Sequence, residues 1–436
     1  MNPCSTEAKA LLSVILVVGL VAPLNFATMS DVPPPLSANE FFTPEFLRDP
    51  YPTYRRYLDG RGLQYLDIHG GVWAVFKHAD CSTFLRDPRL SAKRTSTLID
   101  EFPVEKQREF AELARTFSLW MLFYDAPEHT RLRKLMNKGF SPAAIESIRP
   151  QVEKAVDRLL TPLRNGGRID ILPQFAHSLP VYVIAEMLDV PESLHQQFIH
   201  WSNAIATLFG NPYRSLNDLV AAQQAIHGLT CHFREAVALR RKQKGNDLIS
   251  LLMEIEEDGD VLTEEELYAQ CVMLLFGGHE TTRNLIGNGL YTLLRHREQA
   301  SELREHPELI RSAVEELLRY ESPVQYTGRM ALQDFELCGV QARHGQEIIF
   351  MLGSANRDAC LFKDPDRLDL KRANNPHLAF GAGAHFCIGN QLARLEGRVA
   401  ILKILQEFPQ MRSVSAEPDW LPNFSFRGLK ALVVET

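Results

Sequence analysis

The amino-acid sequence predicts a mainly α fold, rich in helix, with a smaller β-rich portion. Three observations carry that expectation. Helical apolar periods dominate from Ser141 to about Arg240 and recur from Thr263 to Tyr320. One of these helices is apolar around most of its circumference at its centre, which places it deep in the protein. Runs of β-forming residues are few and short.

Residues 1–28 read as an apolar N-terminal extension and residues 29–436 as one domain. No Gly/Ser linker, repeat or low-complexity tract marks a boundary in the latter. Leu11 to Ala22 are nearly all apolar, but short of the roughly 20 residues that span a bilayer. Three readings stay open: a natural start at Met29, an anchor, or a secretory signal. Lys9 is offset by Glu7, and no small-x-small site follows, which weighs against the signal. Membrane contact is expected only if residues 11–24 are kept as an anchor; otherwise the expected location is cytoplasmic.

Pro44 to Leu58 is broadly helical, with a break at Pro50-Tyr51-Pro52. Gln64 to Phe76 reads as a β-hairpin turning at His69-Gly70-Gly71. The helical stretch from Ser141 is broken at Asn165-Gly166-Gly167, Pro173, Pro191 and Gly210-Asn211-Pro212. Thr263-Glu264-Glu265-Glu266 is a capping box. The helix it opens runs to about His296, roughly 50 Å at 1.5 Å per residue. A further helix covers Pro307 to Tyr320. Short strands follow near Glu336 to Cys338 and Glu347 to Leu352. A last long helix starts just after Cys387 and ends before Pro409.

Composition narrows the function. With 45% hydrophobic and 23% charged residues over 436, the chain is ordinary globular protein with material for a large core. A net charge of −7 gives no global basic bias, so nucleic acid is not an expected partner. The seven cysteines are scattered, odd in number and without a CxxC pair. That argues against a disulfide framework or structural zinc and fits a reducing compartment.

The segment Phe380-Gly381-Ala382-Gly383-Ala384-His385-Phe386-Cys387-Ile388-Gly389 is the most informative. Its small residues let a loop lie against a flat object, and the helix after it favours a thiolate at Cys387. Such a sulfur is the haem ligand that assists O–O cleavage. On the residues alone a small buried hydrophobic cysteine stays open, and so does a cysteine hydrolase using His385, although such pairs do not usually form between sequence neighbours; a dinucleotide loop fails because Phe386 stands where the third glycine belongs. The ten residues match every fixed position of FGxGxHxCxG, the haem-binding signature of the cytochrome P450 family. The chain resembles the soluble bacterial members, from about Pro44 to its end.

The resemblance implies haem b with Cys387 on the iron, within a loop that includes Phe380, His385 and Gly389. Gly277-Gly278-His279-Glu280-Thr281, on the buried helix, is similar to the family's (Ala/Gly)-Gly-x-(Asp/Glu)-Thr. Alone, that segment is equally compatible with glycines serving close packing and a Glu280 paired to a distant cation. With the resemblance, Gly277 and Gly278 leave room for dioxygen, Thr281 holds a hydrogen bond to it, and Glu280 relays protons. Glu316 and Arg319 share a helix face and resemble the ExxR pair; Arg367 resembles the third member of that network. His129 and Arg133 match a D-x-P-x-H-x-x-x-R region, and with Arg329 and His385 are implied to hold the propionates.

The implied activity is monooxygenation of a small lipophilic substrate, secondary-metabolite tailoring first and fatty-acid hydroxylation second. A peroxide-driven haem-thiolate enzyme or a non-catalytic haem protein would not need the Glu280–Thr281 pair. Electrons from NAD(P)H are expected through a separate ferredoxin and ferredoxin reductase, with Arg131, Lys134 and Lys138 facing that partner. Substrate contacts are expected at Trp120, Leu208, Phe209, Val324, Tyr326 and Phe424, within wider segments that begin at Thr95.

Overall fold

The computed structural model describes residues 40–436 except 42, 68–70, 95–103, 211–214, 246, 256–259 and 416. The N-terminal extension and the hairpin turn at His69-Gly70 therefore lie outside the described residues.

The long helix, Glu264–Arg295, organises the rest. Its capping box closes in both directions: Thr263 Oγ1 accepts from Glu266 N, and Glu266 Oε2 accepts from Thr263 N. From Glu266 to Leu293 its residues are buried except at Gly277, Gly278, Thr281 and Tyr291. The first three of these line a cavity. Around it pack Ser178–Met187, His195–Gly210, Leu216–Lys242, Ile310–Tyr320 and Asn390–Glu407. Each presents an apolar face to one shared core, and each fully buried Leu, Ile, Val or Phe there contributes about 1.5–3 kcal/mol. Polar side chains on the helix fasten neighbouring backbone. Gln270 accepts from Met121 N and donates to Leu119 O, and Asn288 donates to Arg427 O.

The β portion is centred on a five-stranded sheet ordered Leu63–Leu66, Val72–Val75, Glu347–Phe350, Thr327–Ala331, Leu90–Ser91. The expected hairpin forms, with Leu63 opposite Val75. Val72–Val75 runs parallel to Glu347–Phe350, which pairs antiparallel with Thr327–Ala331. A second aromatic core, with Phe41, Phe46, Tyr54, Phe76 and Phe424, packs beside this sheet.

Two local expectations change. Pro173 does not break the chain; it sits in the first turn of a π-helical stretch, Leu172–Ala176, where its missing N–H is not needed. Arg168–Asp170 is a strand paired with Val433–Glu435. Its partner is at the far end of the chain, so no local pattern announces it.

Candidate active site

The cysteine loop is shaped by its glycines. Gly381 and Gly383 have φ of 70° and 73°, left-handed values that favour glycine. A Cβ on Gly383 would stand 2.7 Å from the Leu85 carbonyl. The loop closes on itself where Cys387 N donates to Phe380 O at 3.0 Å. Asn390, first residue of the Asn390–Glu407 helix, donates to Cys387 O at 2.8 Å, and Arg394 lies 4.4 Å over the Phe380 ring. The helix dipole does not by itself create a thiolate. Burial pushes the Cys387 thiol up, and the Gly389 N–H, Arg133 and Arg394 only oppose that. The sulfur is thus arranged to lose its proton to a metal cation rather than to water.

Facing it across a cavity of about 270 Å³ is the centre of the long helix, with Gly277, Gly278, Thr281 and Thr282 on the wall. A Cβ at Gly277 or Gly278 would meet nothing within 4 Å. Close packing therefore does not explain this glycine pair; open space over the cavity does. The helix runs through them without interruption, and Thr281 Oγ1 donates to Gly277 O at 2.8 Å. Glu280 is not on the wall. Its carboxylate is buried, 3.0 Å from Arg283 Nη1, and accepts from Asn284. The cation is a near neighbour on the same helix rather than a distant one.

Four cationic or titratable side chains converge on the cavity edge: His129, Arg133, Arg329 and His385. The two imidazoles stand 4.0 Å apart. Burial, then Arg329, His129 and other cations, hold His385 down at about 2. Burial, then Arg94, lowers Arg329 to about 9. His129 Nε2 is buried without a hydrogen-bond partner among the described residues. The nearby carboxylate, Asp125, accepts instead from Ser91 and Ala92. Two arginines, half-buried Arg133 and buried Arg329, beside two imidazoles with donor capacity to spare are costly unless an anion joins them. Two carboxylates on a flat group that also meets Cys387 fit these residues, and haem b has that chemistry.

Behind the loop lies a fully buried ion pair. Arg319 donates Nε and Nη2 to Glu316 at 2.8 Å each, and both side chains are 0% exposed. Arg319 also donates to the carbonyls of Asn356, Pro365 and Arg367. Glu316 accepts further from Asp369 N, Arg372 Nε and Asn375 Nδ2. The expected third member is corrected here: Arg367 gives only its carbonyl and its side chain is exposed, whereas Arg372 reaches Glu316 at 3.0 Å.

Neighbouring Glu315 ties the same helix to the loop. It accepts from Arg394 at 2.7 and 2.8 Å and from His377 at 3.1 Å. Burial would raise its carboxyl, but hydrogen bonds from His377 and Arg394 win and hold it at about 2, below the ordinary 4.5. A depressed carboxylate stabilises the fold above its unfolded-state value and loses that contribution as pH falls through its folded value. The stability gap between wild type and Glu315→Gln should therefore close as pH drops from about 4.5 toward 2, read by thermal unfolding. A gap independent of pH in that window would refute the assignment.

The expected substrate contacts divide. Val324 lines the cavity, joined by Met121, Leu122, Met273, Phe276 and Leu352. Trp120 and Phe209 do not; they stack with each other, with Phe123 and with Phe276. Leu208 is likewise wholly in the core. Tyr326 and Phe424 pack against each other with ring centres 4.7 Å apart, beside the sheet. Of that aromatic stack only Phe276 reaches the wall, beside aliphatic and Met side chains. Thr95 lies outside the described residues. Arg131 is also committed, to Glu266 and Asp260.

A family model described as cytochrome P450 matches residues 98–425. The chain is 37% identical over 396 residues to the biotin biosynthesis cytochrome P450 of Bacillus subtilis (strain 168), covering 89% of this chain and 97% of that one. It is 38% identical over 401 residues to the cytochrome P450 monooxygenase PikC of Streptomyces venezuelae, covering 89% and 92%. A crystal structure of P450BioI in complex with an acyl carrier protein ligated to hexadec-9Z-enoic acid superposes with a TM-score of 0.84. It is 36% identical and covers 90% of this chain and 99% of that one. The helix-rich fold, the cysteine loop and these relatives agree: the chain belongs to the cytochrome P450 family.

Proposed function

We propose that the space between the Glu264–Arg295 helix and the cysteine loop would hold haem b, with Cys387 as the residue that would bind its iron, and that the enzyme tailors a secondary metabolite. As a cytochrome P450 it is a monooxygenase, an oxidoreductase that inserts one atom of O2 into a lipophilic small molecule and takes NAD(P)H-derived electrons from redox partners. The observation that carries the placement is the juxtaposition of Cys387 with the glycine-bare turn of the long helix across one apolar cavity rimmed by cations.

Each residue then has a task. The bound haem supplies dioxygen activation and electron storage. Cys387 anchors it, and Phe380 and Gly389 frame the sulfur. Arg133, Arg329, His129 and His385 hold the propionates. Gly277 and Gly278 keep the space over the iron clear. The Thr281 hydroxyl, which donates to Gly277 O, would be free to turn and donate into the cavity, and Glu280 would hold a proton for it. Glu316, Arg319 and Arg372 fix the loop from behind. The apolar wall at Val324, Phe276 and Leu352 fits a lipophilic substrate.

The tailoring reading is supported by the likeness to the polyketide biosynthesis cytochrome P450 PksS of Bacillus subtilis (strain 168). Fatty-acid hydroxylation is the second reading, supported by the apolar wall and the fold shared with P450BioI. Electrons would come through a ferredoxin and its reductase, in the cytoplasm; among the described residues no helix is long and apolar enough to cross a membrane.

The first test is the absorption spectrum of the reduced, CO-bound protein, which should show the red-shifted thiolate band; a band at the histidine-ligated position sinks the proposal. Polyketides and fatty acids are then screened for the low-to-high spin shift that follows loss of iron-bound water. Thr281→Ala should keep full haem content but lower product formed per NAD(P)H by roughly tenfold or more, with hydrogen peroxide rising to match. An unchanged product yield would remove Thr281 from the chemistry.

A further inference from the structure

Outside the haem loop, the described cysteines sit in different company. Cys81 and Cys271 are buried in apolar surroundings. Cys338 lies beside Asp80, and burial together with that carboxylate pushes its thiol up to about 12. Cys360 is exposed, and among the described residues no side chain hydrogen-bonds its sulfur.

Cys231 differs from all of these. Its sulfur lies 3.6 Å from His227 Nε2, a hydrogen-bond length for sulfur. The two residues are four apart on the helix Leu216–Lys242, so they share one face. Behind the ring stands Glu112, on the neighbouring helix Ala111–Ser118, with His227 Nδ1 3.2 and 3.3 Å from its two carboxylate oxygens. A carboxylate only accepts, so Nδ1 carries the ring's proton and Nε2 turns its lone pair to the thiol. A nucleophile, a base within its reach and a third group that orients the base are the parts of an activated thiol. The site opens to water, with His227 exposed and Cys231 half-buried. It lies on the seam between the two helices, which Gln223 also ties by donating to Glu109 O at 2.9 Å. The chain from Ala111–Ser118 runs on into Met121 and Leu122 on the cavity wall.

We propose that Cys231 is a modification site separate from the iron ligand, a reactive thiol served by His227 and Glu112, and that its reagent is hydrogen peroxide. His227 Nε2 takes the thiol proton, and the sulfur attacks one peroxide oxygen. The S–O bond forms as the O–O bond breaks, and the departing hydroxide takes the proton back from His227 to leave as water. Sulfur gives up two electrons, peroxide gains them, and Cys231 becomes a sulfenic acid. Glu112 is a positioning residue: it fixes the tautomer and the angle of the ring. Oxygen activation that does not end in product releases this oxidant, so the source of the peroxide rests on the monooxygenase reading, but the reactivity of the thiol does not.

The test treats the haem-loaded enzyme with limiting iodoacetamide and reads the alkylation rate of each cysteine by peptide mass spectrometry. Accessibility alone would make exposed Cys360 the faster of the two. An activated thiol makes Cys231 faster than Cys360 by about tenfold or more. His227→Gln, an exposed change, should bring Cys231 down to the rate of Cys360 or below. Glu112→Ala should slow it several-fold, and Glu112→Gln, which still accepts from Nδ1, should slow it less. In a second arm, peroxide is added with dimedone, and the sulfenic-acid adduct should form at Cys231 ahead of Cys360 and be lost in His227→Gln. A Cys231 no faster than Cys360, or a rate that His227→Gln leaves unmoved, overturns the site. An unmoved rate in Glu112→Ala removes Glu112 from it. Fast alkylation without a dimedone adduct overturns peroxide as the reagent. Neither readout uses turnover, so a failure here is distinct from a failure of the haem placement.

Discussion

A Cys387→His enzyme is expected to keep its haem, lose the red-shifted carbon-monoxide band and fall to background monooxygenase turnover. His129, Arg133, Arg329 and His385 stay in place when the sulfur is replaced, so they should still bind the propionates. What is lost is the electron density that a thiolate pushes toward the iron and that an imidazole does not. Control thiols make the expectation specific. Cys81 and Cys271 are buried in apolar surroundings, and burial pushes Cys271 up to about 12, so neither offers a thiolate. Cys360 is exposed and away from the cavity lining. Cys360→Ser should leave spectrum and turnover unchanged. A Cys387→His enzyme that kept the thiolate band would mean that another sulfur holds the iron.

Much of this site is legible in the sequence because its chemistry sits on short consecutive segments. Cys387 and its glycines are ten residues in a row, and Glu280–Thr281 follow a glycine pair on a helix that its capping box announces. What is not legible depends on chain paths through irregular backbone. Arg367 and Arg372 are five residues apart in a segment without helix or strand. Only folding shows that Arg372 turns inward to Glu316 while Arg367 lends a carbonyl. The cavity wall gathers residues from several distant elements, and aromatic size is a poor guide to it. Trp120 and Phe209 are large enough to suggest a pocket, yet they satisfy one another. Arg131 shows the same limit: on sequence it belongs to a basic face, but Glu266, more than a hundred residues on, has already taken it.

Glu316→Ala should be the most damaging change outside the haem pocket, giving a chain recovered largely as apoprotein. Removing the carboxylate leaves Arg319, wholly buried, with only carbonyl acceptors for its charge. It also releases Asp369 N, Arg372 and Asn375, which fix the segment leading into the cysteine loop. Breaking a buried pair from one side typically costs about 3–5 kcal/mol, against a total stability of about 5–15 kcal/mol. Arg372→Ala should cost less, because Glu316 keeps Arg319 and Asn375. Arg367→Ala should cost almost nothing, because only its backbone oxygen is used. Haem absorbance per protein and thermal midpoints across the three variants would give that ranking. A stable, haem-replete Glu316→Ala would show that the loop is held by its glycines and helix alone; equal losses in Arg367→Ala and Arg372→Ala would undo the assignment of Arg372 as the third partner.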